Sequence, residues 1–553
     1  MAQTVFNAFN SDLSFKINLA VLFLVHLVLT YHYNSYHIYR MNPDGVSYML
    51  IGSHYANWNT ELMISGYWAP LFSWILALLM KCRIPEIAIP RIATGISALI
   101  LTFSSVRLFY SLALPRWLVI LGGWIVCFFA TNRATTYVTP DLLAAGFLVL
   151  ALSFLLSAEW LSSRKSQMLA GVVFGLAYLT KSAAFPMNVL IILATGLFRL
   201  MIKEGNHYQI LKGIGVTFVA MGIFSLPWMT VLSLKYGKPT FSTSGPINHS
   251  LHGPRGRQST FYSFYSLHQP EAGRITSWED PSVFPQKTWS PFESLEFAKH
   301  QWILIQKNSE RIWKVLANSF GLYSIGALSI LLAFIFAWPL FGSFSENRWS
   351  WLLVPALSIV APYIPVHFAG GDRYIYALYP MMVAAGLGMA WSLRKNNRVL
   401  GIVVLIFVSY SFVKPDIDEL FRIHKSFAIV PPSKQAWFVL SEKLKGKLGP
   451  IAGQTGTDWN CHKALYVAWQ LHQPFFGCHS NPSIDEIRQL GIRLFVANRN
   501  SKLDTALSKS SDFVDLDSVV FNSGKNTLPK HFRVYERAID IVQPKTELIN
   551  KVD

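Results

Sequence analysis

TPDLLAAGFLVLALSFLL, residues 139–156, sets one acidic residue at the head of an apolar run in which no charged side chain follows Asp141 until Glu159. Thr139-Pro140-Asp141 is a good helix start, because proline is pre-organised for the first helical turn and its missing N–H has no partner to lose there. A helix through the charge-free stretch would be about 25 Å long, close to the roughly 30 Å hydrocarbon core of a bilayer. Runs of the same character lie near 16–33, 67–80, 91–112, 116–131, 140–158, 168–182, 186–202, 210–234, 315–341, 349–368, 374–393 and 399–414. The 553 residues are 52% hydrophobic and 14% charged, with a mean hydropathy of +0.33, whereas soluble domains are about 25% charged. A soluble globular protein is excluded, and the chain reads as a polytopic α-helical membrane protein.

The positive-inside tendency puts Arg164-Lys165, Arg199 to Lys212 and Arg394-Lys395 to Arg398 in the cytoplasm. Threading from these places the 34–66 and 235–313 loops and the tail outside. An odd number of crossings is then required. The runs at 67–80 and 116–131 are short, so one segment between 67 and 131 should not span, leaving about eleven spans. The first run has no small-residue cleavage site after it and is expected to be a retained span. Residues 1–415 form the membrane domain. Residues 416–553 read as a small C-terminal α/β extracytoplasmic domain, with strands at PIAGQ, PFFG, RLFVAN and FRVYERA and helices near 433–446, 461–472 and 483–490.

The formal charge of +18 belongs mostly to the membrane part, since residues 1–415 hold 30 basic and 15 acidic side chains. These basic residues sit in short clusters between apolar runs, where they face lipid headgroups, so nucleic acid is not an expected partner. GxxxxGK[ST], HExxH, GxSxG and paired CxxC are absent, as is a GxGxxG after a strand, so ATP and nicotinamide chemistry have no sequence support.

Ionisable groups at membrane depth are costly and therefore point to function. Asp44 in NPDGVSYMLIGSHYAN (42–57) and Asp141 both lie on the outer side at the ends of apolar segments. Each also has a structural reading, as a cap or turn residue at a helix start. Tyr48, Ile51, Tyr55 and Trp58 suggest an amphipathic helix in the interface, starting just after Asp44. In INHSLHG, the spacing of His249 and His252 leaves a divalent metal open, although no acidic partner is adjacent. His367 stands before the GGDR turn, where it would hydrogen-bond a phosphate or cap the helix end. Tyr55, Trp58, Tyr67 and Trp68 read as interfacial belt residues or as stacking surfaces for a sugar.

Taken in order, NPDGVSYMLIGSHYAN, GYWAPLFSWILALL (66–79), TPDLLAAGFLVLALSFLL, GLAYLTKSAAFP (175–186) and RYIYALYP (373–380) resemble the integral-membrane GT-C glycosyltransferases that use polyprenyl-phosphate sugars. The protein O-mannosyltransferases and the aminoarabinose transferases of lipid A belong to that class. The resemblance covers about residues 13–393. It implies that Asp44 is the catalytic carboxylate, that Asp141 is a second acidic site residue, and that transfer inverts the sugar. The aminoarabinose type carries a Glu-Lys pair before the aromatic-proline segment. Here ISGYWAP has none, and Glu61 stands seven residues before Trp68, a departure that leaves that subgroup's metal site and substrate chemistry open for this chain.

The chemistry itself asks for such residues. A sugar leaving a lipid phosphate builds positive charge at the anomeric carbon and negative charge on the phosphate, so the site needs a base for the acceptor proton and cations for the phosphate. Asp44 fits the base. Lys181 and Arg373 fit the phosphate, and Tyr48, Glu61, Trp68, His249 and His367 are candidate substrate contacts. The expected partners are a polyprenyl-phosphate sugar donor, a glycan, lipid or protein acceptor, and membrane lipid, in a bacterial inner or plasma membrane. A transporter or lipid-linked sugar flippase would share the apolar, aromatic-rich character, but two related halves mark many transporters, and the first-half motifs do not recur.

Four cysteines are too few for a disulfide scaffold, and only Cys461 and Cys478 share a polar region. A helix-then-strand return could bring them together, but sequence spacing leaves a bonded and an unbonded pair equally open.

Overall fold

The structure is a computed structural model that describes residues 12–256, 266–285, 287–319, 348–368, 371–429, 436–456, 460–516 and 532–538. It divides into two compact units, Met1–Ser259 with Ser282–Pro432, and Thr260–Pro281 with Ser433–Asp553.

The first unit is helical. Its helices are α1 (Asp12–Tyr36), α2 (Pro43–Ala56), α3 (Pro70–Lys81), α4 (Ile89–Ser111), α5 (Arg116–Thr136), α6 (Asp141–Leu155) and α7 (Arg164–Thr180). They continue with α8 (Ala184–Met201), α9 (His207–Tyr236), α10 (Ser244–Leu251), α11 (Leu295–Ser319), α12 (Leu353–Val360), α13 (Leu378–Asn396) and α14 (Arg398–Ile429). Among the described residues, six helices are long and apolar enough to cross a membrane: α1, α4, α5, α8, α9 and α14. The 116–131 run extends into a 21-residue helix, about 31 Å long, whereas α3 has 12 residues and reaches only about 18 Å. By length, α3 is the segment between 67 and 131 that falls short of spanning. Most of the run at 315–341 lies outside the described residues. The run at 349–368 is interrupted: α12 is flanked by 3₁₀ turns at Arg348–Leu352 and Ala361–Tyr363, where Pro355 and Pro362 remove helix donors.

Small residues let the helices approach closely. In α7, a Cβ on Gly171 would lie 2.3 Å from the Thr217 carbonyl oxygen of α9, and one on Gly175 would lie 2.6 Å from Phe224 Cβ. The GVVFG segment is thus a small-xxx-small contact of the kind that drives helix association in lipid. The expected interfacial helix after Asp44 is corrected by the structure. α2 starts at Pro43, and every residue from Gly45 to Gly52 is buried, because the small residues between the apolar ones allow packing on both flanks.

The second unit is a mixed sheet in the order β2-β1-β3-β5-β4, formed by β1 (Ile451–Gln454), β2 (Phe475–His479), β3 (Leu494–Asn498), β4 (Phe513–Asp515) and β5 (Phe532–Arg537). β1 runs parallel to β2 and β3, while β5 is antiparallel to β3 and β4. Its helices are α15 (Ala436–Lys443), α16 (Asn460–Leu471), α17 (Ile484–Gln489) and α18 (Lys502–Lys509). Cys461, at the start of α16, is disulfide-bonded to Cys478 in β2, with Cα atoms 5.8 Å apart. A stretch of the long loop after α9 belongs to this unit. It bridges β2 at Leu267–Gly477 and Thr276–Phe475, and Phe475 N donates to the Ile275 carbonyl at 2.6 Å. That pairing covers an otherwise open sheet edge. It also requires residues 266–281 and the tail to lie on one side of any membrane the chain crosses.

Candidate active site

The site forms where the starts of α2 and α6 meet. Asn42, the N-cap of α2, has extended backbone (φ −139°, ψ 156°). Its side-chain oxygen accepts from Val138 N at 2.8 Å, tying the start of α2 to the linker that leads into α6. A Cβ on Gly45 would lie 2.8 Å from Val138 Cβ, so glycine is what permits the close approach. Arg91 of α4 reinforces the junction. Its guanidinium donates to the Ala134 and Thr135 carbonyls at 3.2 Å each and also to the Arg40 carbonyl. The cation therefore sits at the negative end of α5. Asp44 and Asp141, in the first turns of their helices, face the same space.

Two cations complete the cluster. Lys181 is the C-cap of α7 in extended conformation, and its Nζ donates to Asp141 Oδ1. Arg373, in a 3₁₀ turn at Asp372–Ile375, donates from Nη1 to Asp44 Oδ2 at 2.6 Å. From Nη2 it donates to the Tyr374 hydroxyl at 3.2 Å, and its Nε lies 4.0 Å from Asp141 Oδ2. The Asp141 side chain is 5% exposed, against about a fifth for the other three. The Tyr374 ring centroid lies 4.4 Å from Lys181 Nζ and 5.1 Å from the Arg373 guanidinium carbon, and Tyr137 faces that guanidinium from 5.5 Å. Burial opposes the charge on Arg373, but Asp44, Tyr374 and Asp141 outweigh it and hold its pKa well above the ordinary arginine value.

Asp141, Lys181 and Arg373 line a small cleft of about 20 Å³ whose apolar floor is Ala144, Ala145, Leu148, Ala184, Met187 and Ile359. Tyr363 and Tyr376 line it too, and their buried hydroxyls have no hydrogen-bond partner among the described residues. One carboxylate, two cations and two hydroxyls without a partner among the described residues, set beside apolar side chains, suit a ligand that joins an anionic group to an apolar one.

The other expected residues fall in different places. Tyr48 and Trp68 form a buried aromatic group beside the cluster, their ring centroids 5.0 Å apart and edge to face. Tyr67 joins it at 4.7 Å from Trp68, and its hydroxyl donates to Asn248 at 3.5 Å. Glu61 and Trp58 are exposed on the turn after α2. His249 and His252 do not converge: His249 stacks on Trp289 at 4.2 Å, whereas His252 stacks on His367 at 3.8 Å. Among the described residues, no group of three or more His, Cys, Asp or Glu side chains could hold a metal ion. Sequence reading did not single out Tyr137, Tyr363, Tyr374 or Tyr376. Their one signal was membership in TYVTPD, in APYIP and in RYIYALYP, and tyrosines at helix ends are common as interfacial belts.

No family model matches the chain, and no curated protein matches it. Solved structures do. ArnT from Cupriavidus metallidurans bound to undecaprenyl phosphate aligns over 94% of this chain and 97% of its own, at 14% identity and a TM-score of 0.56. The apo state of the same protein aligns over 94% and 98%, at 12% identity and a TM-score of 0.53. The arabinofuranosyltransferase AftD from Mycobacteria covers 96% of this chain and 40% of its own, at 13% identity and a TM-score of 0.49. The fold of this chain is that of ArnT.

Proposed function

We propose that the chain transfers a sugar from a polyprenyl-phosphate donor to an acceptor on the outer face of the membrane. The reading rests on one observation above all: Asp44, Asp141, Lys181 and Arg373, drawn from four separate stretches of sequence, form one ion-pair cluster, and the last three of them line a largely apolar cleft. The fold shared with ArnT, a protein seen bound to undecaprenyl phosphate, supports the donor class.

In this mechanism the isoprenoid lies along the apolar floor, and its phosphate meets Lys181 and Arg373, with the Tyr363 and Tyr376 hydroxyls as further donors. Arginine engages phosphate bidentately and lysine as a point charge. The incoming phosphate gives Arg373 a second anionic partner and draws it from Asp44. The acceptor hydroxyl or amine then attacks the anomeric carbon, its proton passes to Asp44, and the bond from that carbon to the phosphate oxygen breaks with its electron pair on the phosphate. One such displacement inverts the sugar. Asp141 holds Lys181 and Arg373 in register throughout. The shared fold of residues 266–281 and the tail, together with the Cys461–Cys478 bond, favours an oxidising outer compartment for both.

The test is purified chain in detergent, where no transport can occur, with a polyprenyl-phosphate sugar and extracts of envelope glycans, lipids and proteins as acceptors. Release of polyprenyl phosphate coupled to acceptor glycosylation is expected from the wild type and not from Asp44→Asn. Donor turnover by Asp44→Asn at the wild-type rate would remove Asp44 as the base, and no turnover with any donor or acceptor would overturn the reading.

A further inference from the structure

Arg373 is carried by a four-residue 3₁₀ turn whose N-cap, Gly371, makes no side-chain cap. So short a turn has little stability of its own. Its neighbour Asp372 points the other way, into the bundle, where Arg133 Nη2 lies 3.1 Å from Asp372 Oδ2. Arg133 belongs to the last turn of α5 and is itself held between rings, 5.2 Å from the Phe129 centroid and 6.0 Å from that of Tyr376. Tyr376 is one of the cleft tyrosines. A second acid, Asp416 of α14, lies within electrostatic reach of the same guanidinium. It is fixed by Asn132 Nδ2 at 2.8 Å and by the Tyr379 hydroxyl at 3.2 Å. The donor-facing turn is thus tied to α5 by the Arg133–Asp372 ion pair, whose side chains are largely shielded from solvent, with Asp416 of α14 within electrostatic reach.

We propose that Arg133 and Asp372 are a positioning pair that fixes the Arg373 guanidinium and the Tyr376 ring, and so sets affinity for the lipid phosphate without touching it. The inference rests on the reading of Arg373 as the donor-phosphate ligand. Bidentate recognition depends on angle as well as charge, and a displacement of about 1 Å in a positioning group can cost on the order of 10²-fold. Asp372→Asn removes the ionic tether and keeps the side-chain shape, so Arg373 keeps its charge and loses its fixed position.

The experiment is a double-mutant cycle on binding of polyprenyl phosphate to the purified full chain, with melting followed in parallel. Asp372→Asn alone should weaken binding by roughly 10- to 100-fold. In an Arg373→Ala background the same change should add less than about threefold, since only the Tyr376 ring is left to position. If Asp372→Asn does not fold, Arg133→Lys replaces it in the cycle, because it keeps the buried charge and loses the planar fork. Full loss in both backgrounds would make the pair merely structural, and wild-type affinity in the single variant would overturn the proposal. If the wild type itself shows no saturable binding, or Arg373→Ala binds as well as wild type, it is the proposed function that fails.

Discussion

The two ends of α6 carry the same kinds of side chain to different ends. At its C-terminal end, Arg199 donates to the Leu155 carbonyl at 2.7 Å and the Ser157 carbonyl at 3.3 Å, and Arg348 donates to the Leu156 carbonyl at 2.9 Å. Glu204 bridges the two arginines, and Trp160 and Trp351 cover Arg199 from about 5 Å on either side. Those cations are consumed by the helix's own orphan carbonyls and by its dipole. At the Asp141 end, among the described residues, Lys181 and Arg373 hydrogen-bond only side chains: Asp141, Asp44 and a tyrosine hydroxyl. A carboxylate partner such as Asp44 can give way to an incoming phosphate, whereas a backbone carbonyl at the end of a buried helix cannot. An arginine's use is therefore read from what its donors are spent on, not from its burial.

The strongest way to break this contrast is to exchange the expected phenotypes. Asp44→Asn should lower transfer by about 10²–10⁴-fold, the range of general-base catalysis, with melting close to wild type. Arg199→Met should do the reverse, lowering stability by about 3–5 kcal/mol in thermal unfolding while activity per folded molecule holds, because it strips the nearer partner from the Glu204 carboxylate and leaves buried carbonyls unpaired. Retained transfer in the first variant, or a selective loss of donor binding in the second, would collapse the distinction.

The second unit tests the outer-face assignment. Removing the Cys461–Cys478 bond, which spans a sequence separation of 17, should cost that unit about 3 kcal/mol in the chain-entropy account. On intact cells, a membrane-impermeant thiol reagent should label the two positions only after reduction. Labelling only once the cells are opened would put the tail in the cytoplasm. The smallest effect expected is at the junction of α2 and α6: Gly45→Ala must displace Val138, at about 1–3 kcal/mol of overpacking, and should reduce transfer more than it reduces melting temperature.

The four charged residues of the site were legible because charge beside an apolar run is costly and rare, so each one stood out against its surroundings. Four of the five tail strands were legible through short β-branched and aromatic runs bounded by turn residues, whereas the three-residue strand Phe513–Asp515 was too short to show. The Arg133–Asp372 tether was not, since an ion pair between distant helices leaves no local pattern. Nor were Tyr363 and Tyr376, lost among 22 tyrosines for which the interface offers a sufficient reason. α2 misled for a related cause: the spacing of Tyr48, Ile51 and Tyr55 fits one wet face, but Gly45, Ser47 and Gly52 are small enough for that face to be packed as well. The attachment of residues 266–281 to the sheet rests on two isolated bridges, too short a pairing to print an alternation in the sequence.

The most direct test of the central claim, that Lys181 and Arg373 receive a lipid phosphate, is titration of the purified chain with undecaprenyl phosphate. Saturable binding is expected for the wild type, for Asp44→Asn and for Arg199→Met, with loss of at least about tenfold for Lys181→Ala and Arg373→Ala separately and no measurable binding for the pair combined. Equal binding by the combined variant and the wild type would contradict the account.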